Sequence, residues 1–209
     1  MRKLVYLVAS TLDGFIAETS REDPSGTVFE LEGDHGPALV AEYPEMVPGH
    51  VRGHLGLNGV PHRHFDTVLE GRVSYEMGVA QGIGDAYPHL RHLVFSTTMT
   101  QAADPAVEVV SGDALGRVRA LKAEDGLDLW LCGGGALAAA LQPEIDELHL
   151  KLNPVVLGRG APLFDPSGRP EQTGTGIDRF RLTSTTVYES GVALLTYARR
   201  QPAVEPGSA

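Results

Sequence analysis

Three consecutive glycines, Gly133–Gly135, have the setting of an anion-binding turn. Residues 129–132 are mostly apolar and predict a buried strand, and residues 136–141 predict a short helix that stops at Pro143. Glycine lets a ligand approach the backbone closely, and the first N–H groups of a helix have no intrahelical partner. The turn is therefore a candidate pyrophosphate site. The alternative is a tight turn packed against a neighbouring strand, and the motif alone leaves both open.

Two other predicted strands also end in polar residues, and those that follow the first of them suit phosphate. Residues 65–71 predict a strand, and Arg72 and Ser74 fall in the first turn of the helix that follows. Residues 92–98 predict another strand, which ends in hydroxyl side chains. A guanidinium group and a hydroxyl group can hold a phosphate by charge and by hydrogen bonds. A solvated Arg72 with Ser74 as an ordinary first-turn residue is the alternative interpretation.

Composition and charge exclude several classes of protein. The net charge of −10 over 209 residues argues against a nucleic-acid partner, since binding phosphates requires a basic surface. The single cysteine, Cys132, excludes an internal disulfide and fits a reducing compartment. Ser10, Thr11 and Asp13 interrupt the first apolar run, so it does not resemble a signal peptide, and no run approaches the length of a membrane span. We expect a soluble, cytoplasmic protein with a small-molecule partner.

Four histidines between residues 50 and 64 raise a zinc hypothesis. No cysteine or carboxylate joins them at a recognised ligand spacing, and glycines and prolines separate them. The pattern favours a solvated histidine-rich loop, and we predict no metal site.

The elements that position these residues include a continuous apolar run at residues 4–9, which predicts a central strand covered on both faces, and a short helix predicted over residues 37–46. From residue 65 to residue 141 strands and helices alternate, which predicts parallel pairing. Residues 180–188 and 192–197 are then joined across a short turn, which predicts a hairpin. We expect one domain over residues 1–198, built on a sheet that is parallel in its middle and antiparallel at its C-terminal edge. Residues 199–209 are expected to form a disordered tail.

Several stretches of the sequence, taken in their order along the chain, resemble motifs of the dihydrofolate-reductase-like superfamily. The greatest similarity is to the reductase domain of the bifunctional riboflavin-biosynthesis deaminase-reductase and to its stand-alone relatives. The resemblance extends over most of residues 3–198. It rests on residues 9–17 (ASTLDGFIA), 71–76 (GRVSYE), 96–97 (ST), 132–135 (CGGG), 145–148 (IDEL), 154–160 (PVVLGRG) and 163–164 (LF).

The resemblance implies a three-layer αβα fold around a mixed sheet of about eight strands, with NADPH lying across the strand ends. It also implies a cis peptide bond between Gly133 and Gly134 and a homodimer formed through the C-terminal hairpin. An apolar run near the sheet edge supports that pairing. The cofactor-binding residues implied by the resemblance are Ala9, Ile16, Gly71, Arg72, Ser74, Ser96, Thr97, Cys132, Gly133, Gly134, Gly135, Ala136 and Leu137.

The implied activity is hydride transfer to a C=N or C=O bond of a small substrate, such as a pterin or a pyrimidine. Folate reductases carry a carboxylate on their first helix, for which this sequence has no clear match. The candidate proton donors are Asp13, Glu32 and Asp34, although Asp13 also suits a turn and Asp34 a helix N-cap. The zinc motif of a deaminase is absent. A non-catalytic protein that keeps the nucleotide cleft is the alternative function.

Overall fold

The computed structural model describes residues 1–20, 22–168 and 177–200. The strands are β1 (Leu4–Ser10), β2 (Phe15–Ala17), β3 (Phe65–Gly71), β4 (Arg91–Phe95), β5 (Glu108–Val110), β6 (Asp128–Gly133), β7 (Ile145–Leu152), β8 (Ala161–Pro162), β9 (Phe180–Val187) and β10 (Ala193–Arg199). The α-helices are α1 (His35–Glu42), α2 (Gly49–Arg52), α3 (Arg72–Ala80), α4 (Ala114–Ala123) and α5 (Gly135–Ala140). Short 3₁₀ turns follow α1, follow α5 and precede β9.

Eight strands form one mixed sheet in the order β5-β4-β3-β6-β1-β7-β10-β9. Every pair from β5 to β7 is parallel, and β10 is antiparallel to both β7 and β9. The predicted change from parallel to antiparallel pairing is therefore confirmed. Strands β2 and β8 form a separate two-stranded sheet that was not predicted. A two-residue strand such as β8 is too short to show a hydrophobic period.

Helices cover both faces of the sheet, which confirms the three-layer arrangement. On one face Leu69 and Leu131 pack in a core that includes Val118 and Leu121 of α4 and two residues of α5. On the other face Val68 and Trp130 pack in a core that includes Leu39 of α1. Alternate residues of a strand point to opposite faces, so strands buried on both sides have the nearly continuous apolar sequences observed here.

Two segments differ in detail from expectation. The helix expected over residues 37–46 is α1 followed by a 3₁₀ turn at Pro44–Met46, because proline cannot continue the hydrogen bonding of a helix. Strand β10 extends through Arg199, the first residue of the predicted tail, and residues 201–209 lie outside the described residues. Within the described part of the chain, no helix is long and apolar enough to cross a membrane.

Candidate functional site

The carboxyl ends of the parallel strands bring most of the predicted site residues to one edge of the sheet. Gly71 of β3 pairs with Phe95 of β4, while Glu70 pairs with Gly133 of β6. At the end of β1, Ala9 lies in register with a residue of β7. Residues that follow the ends of β3, β4 and β6 are therefore neighbours. The edge includes Ala9, Gly71, Arg72, Ser74, Ser96, Thr97 and Cys132–Leu137. Ile16 lies nearby in β2, half-buried.

The glycine turn and the turn between β3 and α3 are in direct contact. A Cβ added to Gly71 would lie 3.4 Å from the backbone nitrogen of Gly134. A Cβ added to Gly133 or Gly134 would lie 3.5 or 3.4 Å from Oγ of Ser74. The peptide bond between Gly133 and Gly134 is cis, as expected. Backbone without side chains and the Ser74 hydroxyl therefore lie next to each other at this edge.

The third glycine has a different role. A Cβ added to Gly135 would lie 2.1 Å from the carbonyl oxygen of Pro162, and the N–H of Asp165 donates to the Gly135 carbonyl at 3.0 Å. The packed-turn interpretation therefore applies to this residue. The Leu137 side chain is buried in the core, so Leu137 can offer a ligand only its backbone.

The predicted phosphate-binding side chains already have partners. Arg72 forms an i,i+4 ion pair with Glu76 at 2.6 Å, with much of both side chains exposed. Oγ of Ser96 accepts hydrogen bonds from the N–H groups of Thr98 and Met99 at 3.1 and 2.9 Å, so its O–H can still be donated. Thr97 is exposed. These groups could reach a phosphate at this edge, but Arg72 would have to release Glu76.

Asp13 links the loop after β1 to the loop after β7 by hydrogen bonds. Its carboxylate accepts hydrogen bonds from the Thr11 hydroxyl at 2.6 Å and from the N–H groups of Leu157 and Gly158, the latter at 2.7 Å. The hydrogen bond from Thr11, followed by those from the backbone, lowers the pKa of Asp13 to about 2. A proton donor must be protonated before it reacts, so this environment opposes the predicted role.

Asp34 also binds a distant loop. It occupies the N-cap position of α1, but its carboxylate accepts hydrogen bonds from the N–H groups of Glu189 and Ser190 in the β9–β10 hairpin, at 2.8 and 3.1 Å. The hydrogen bond from Glu189 is the main cause of its lowered pKa. Asp34 therefore fixes the hairpin to α1 and does not cap its own helix. Glu32 is exposed in the preceding loop.

A lysine that the sequence interpretation did not identify lies at the same edge. Lys151 of β7 is in register with Ala9, and its half-buried side chain has no ion pair among the residues that the structure describes. Its Nζ lies 5.9 Å from the ring centroid of Phe29, which is buried in the long loop before α1. Burial lowers the pKa of Lys151. Lys151 occupies a polar position of an alternating strand, so no signal in the sequence indicated that its side chain is half-buried.

A buried charge cluster lies beneath this edge. Nδ1 of His92 is 2.8 Å from a carboxylate oxygen of Asp85, and Nε2 is 3.0 Å from a carboxylate oxygen of Glu70. The side chains of His92, Glu70 and Asp85 are 1%, 7% and 8% exposed. Burial opposes the charge on His92, but the two carboxylates outweigh it and raise its pKa. We call these three residues the Glu70–His92–Asp85 cluster.

Cys132 lies next to this cluster. Its Sγ is 4.0 Å from the hydroxyl oxygen of Tyr87. Burial, assisted by the charge of Glu70, raises the pKa of the thiol well above its usual value. Cys132 is therefore held as a neutral thiol, which excludes a thiolate nucleophile at neutral pH.

The histidine-rich segment does not assemble a metal centre in the described part of the chain. His50 and His54 are exposed, while His64 pairs with Glu42 at 3.0 Å and His62 faces His89 with ring centroids 5.9 Å apart. No group of three or more potential metal ligands comes together among the described residues.

A mixed eight-stranded sheet between two helical layers, with a glycine turn at the carboxyl ends of its strands, defines a dihydrofolate-reductase-like α/β protein. More specifically, the chain belongs to the RibD C-terminal domain family, whose model matches residues 88–194. An uncharacterized Bacillus subtilis protein, YwjB, is 30% identical over 165 residues, which cover 78% of this chain and 83% of YwjB.

Two solved structures share the fold. A candidate riboflavin biosynthesis protein from Shewanella sp. PV-4 has a TM-score of 0.64 and 23% identity, covering 96% of this chain and 100% of its own. Dihydrofolate reductase from Enterococcus faecalis, complexed with NADP(H), has a TM-score of 0.59 and 15% identity. The match covers 95% of this chain and 97% of the dihydrofolate reductase chain. Both comparisons agree with the fold class expected from the sequence motifs.

Proposed function

We propose that residues 1–198 form a single NADPH-dependent reductase domain that acts on a C=N or C=O bond of a small substrate. The observation that carries the proposal is the contact between the two strand-to-helix turns at the glycine edge. There Gly133, Gly134 and Ser74 line one space next to Arg72. Membership in the RibD C-terminal domain family supports a reductase. The NADP(H) bound to the structurally similar dihydrofolate reductase supports the choice of cofactor.

In this proposal the glycine turn and Ser74 hold the pyrophosphate, and Arg72 with Ser96 and Thr97 holds the 2′-phosphate. Ala9 and Ile16 face the nicotinamide. Gly71, Cys132 and Gly135 shape the wall of the cleft, and the backbone of Ala136 and Leu137 lies beside the pyrophosphate. The bound cofactor supplies a hydride, with its electron pair, to the carbon of the substrate double bond.

Lys151 is the proposed source of the proton that the substrate nitrogen or oxygen needs as the hydride arrives. Its ammonium group carries three donors and forms no ion pair among the described residues, and its backbone is in register with that of Ala9. Partial burial lowers the pKa of Lys151. A lysine with a lower pKa gives up its proton more readily and is a better general acid near neutral pH. This role replaces the carboxylates Asp13 and Asp34, which bind backbone N–H groups of other loops.

We predict that NADPH binds at least about tenfold more tightly than NADH, a difference of about 1.4 kcal/mol. The Arg72 guanidinium and the hydroxyls after β4 can form charge-assisted hydrogen bonds to a 2′-phosphate. Each is typically worth about 1.5–3 kcal/mol. Release of the exposed Glu76 partner offsets part of that gain. Calorimetric titration with both cofactors measures the difference, and equal affinities would remove the 2′-phosphate assignment.

The same titration, together with melting temperatures, should distinguish the roles of two neighbouring glycines, Gly134 and Gly135. Gly134 has φ −97°, which alanine adopts, so Gly134→Ala should lower NADPH affinity about tenfold or more and leave the melting temperature almost unchanged. Gly135→Ala is the matched control. A Cβ added at position 135 would lie 2.1 Å from a carbonyl oxygen, so this variant should have a lower melting temperature. Normal NADPH binding by Gly134→Ala would leave the turn a purely structural feature.

A second proposal concerns assembly: the chain forms a homodimer through β9. This strand lies at the edge of the sheet and pairs with no strand other than β10 among the described residues, and Leu182 and Val187 are exposed on it. Long exposed edge strands tend to be covered. Light scattering at micromolar concentration should give twice the monomer mass, and Leu182→Lys should shift the protein toward monomer. Leu55→Lys changes a similarly exposed leucine in the segment between α2 and β3 and should not. A monomeric parent protein would refute the proposal.

A further inference from the structure

A cavity lies at the edge of the sheet opposite the glycine turn. It has a volume of about 380 Å³, and its polar lining includes Arg52, Asn58, His62 and His89. His62 and His89 precede the starts of β3 and β4, whereas the glycine edge lies at the carboxyl ends. A seven-residue strand such as β3 spans roughly 20 Å, so the two sites are separate.

Arg52 gives this cavity its positive charge. Its guanidinium is buried, with 6% of the residue exposed, and donates to the carbonyl oxygens of Pro44 at 2.5 Å and Leu57 at 3.0 Å. No carboxylate forms an ion pair with it within the described ranges of the chain. A guanidinium group has five N–H donors, so donors remain after these two bonds. Buried charges are normally paired, so an uncompensated guanidinium beside a cavity favours an anion there.

His89 adds an unsatisfied polar atom. Its Nε2 lies 2.8 Å from the carbonyl oxygen of Glu45 and therefore carries a proton, whereas its buried Nδ1 has no hydrogen-bond partner among the described residues. The ring of His62 faces it. The nearby Glu45 carboxylate is not part of the cavity lining. One of its oxygens accepts from the N–H groups of Arg63 and His64, and the other is buried without a hydrogen-bond partner among the described residues.

We propose that this cavity binds a phosphate group, either as inorganic phosphate or at the end of a small phosphate ester. A tetrahedral phosphate presents enough oxygens to contact Arg52, His62 and Asn58 together, whereas a planar carboxylate has two. Its protonated oxygen can donate to Nδ1 of a neutral His89, and an unprotonated oxygen can accept from a charged His89. A cation is disfavoured, because Arg52 repels it. The site is independent of the proposed cofactor site.

The test is a titration of the full chain with inorganic phosphate, glycerol phosphate and acetate in the presence of saturating NADP⁺, followed by NMR of the histidine ring protons. We expect saturable phosphate binding with a Kd at or below about 1 mM that shifts His62 and His89, and weaker binding of acetate. Tighter binding of glycerol phosphate than of inorganic phosphate would identify an ester as the ligand. The reverse order would identify the free ion.

Two variants and a control make the test decisive. His62→Asn and Arg52→Lys should each weaken phosphate binding about tenfold or more, while His54→Asn, which changes an exposed histidine outside the cavity, should not. Arg52 also donates hydrogen bonds to two backbone carbonyl oxygens, so circular dichroism must show that Arg52→Lys is folded. If that variant is unfolded, His62→Asn alone decides the test. The proposal is overturned if binding disappears with NADP⁺, if acetate binds as well as phosphate, or if folded variants bind normally.

Discussion

Replacing His92 with glutamine should lower the free energy of unfolding by about 3–5 kcal/mol, because it leaves two buried carboxylates without their shared cation. Glu70 and Asp85 are 7% and 8% exposed and lie 3.0 and 2.8 Å from the ring nitrogens of His92. For a chain of this size, the loss corresponds to a fall in melting temperature of roughly 10 °C. Thermal and denaturant unfolding measure it directly.

His64→Gln is the matched control, since His64 also pairs with a glutamate, Glu42 at 3.0 Å, but much of both side chains is exposed. Exposed pairs contribute less than about 1 kcal/mol, so this variant should remain close to the parent protein. Equal losses from the two variants would show that burial does not set the strength of the Glu70–His92–Asp85 cluster.

The stability supplied by His92 should also depend on pH. The folded protein raises the pKa of His92 above the usual 6.5, so its contribution is complete below pH 6.5 and is lost as the pH rises through the higher folded value. The difference in unfolding free energy between the parent protein and His92→Gln should therefore shrink as the pH rises above 6.5. A difference that stays constant across this range would contradict a charged His92 in the folded protein.

Replacing Lys151 with methionine should lower the rate of substrate reduction by roughly 100-fold or more, the effect expected when a general acid is removed. Methionine keeps the apolar stem of the side chain and loses the ammonium group, so NADPH affinity should change little. Oxidation of NADPH against a panel of pterins, pyrimidines and quinones identifies a substrate for this comparison. With that substrate, the rate of the parent protein should fall with rising pH at a lower pH than an ordinary lysine would give.

Lys3→Met is the control for this effect, because Lys3 is a more exposed lysine in an ion pair with Glu147. It should reduce substrate at the parent rate. NMR of the methyl-labelled lysines gives a second readout that needs no substrate, and it should assign Lys151 a pKa below 10.5. A normal lysine pKa together with normal activity of Lys151→Met would eliminate the proposed proton donor. NADPH binding without oxidation of any substrate would favour the non-catalytic alternative.

The sequence by itself determined the architecture around the glycine edge. Apolar runs at residues 4–9 and 129–132 predicted buried strands, and β1 and β6 occupy the middle of the sheet. These features are readable because hydrophobic period and turn composition are local properties. The C-terminal hairpin was predicted in the same way, from two strand patterns joined by a short turn that contains Gly191.

Only the tertiary structure decided what the charged residues do. Asp13 and Asp34 were both candidate proton donors in the sequence, yet each binds backbone N–H groups more than 140 residues away in the chain. The need for glycine at position 135 comes from Pro162, and the burial of Lys151 comes from the pairing of β7 with β1 and the docking of the loop before α1. Such roles depend on partners that are distant in sequence, and a carboxylate or amine takes its pKa from them. The residue type fixed which chemistry was available, and the packing of distant segments decided where it could be used.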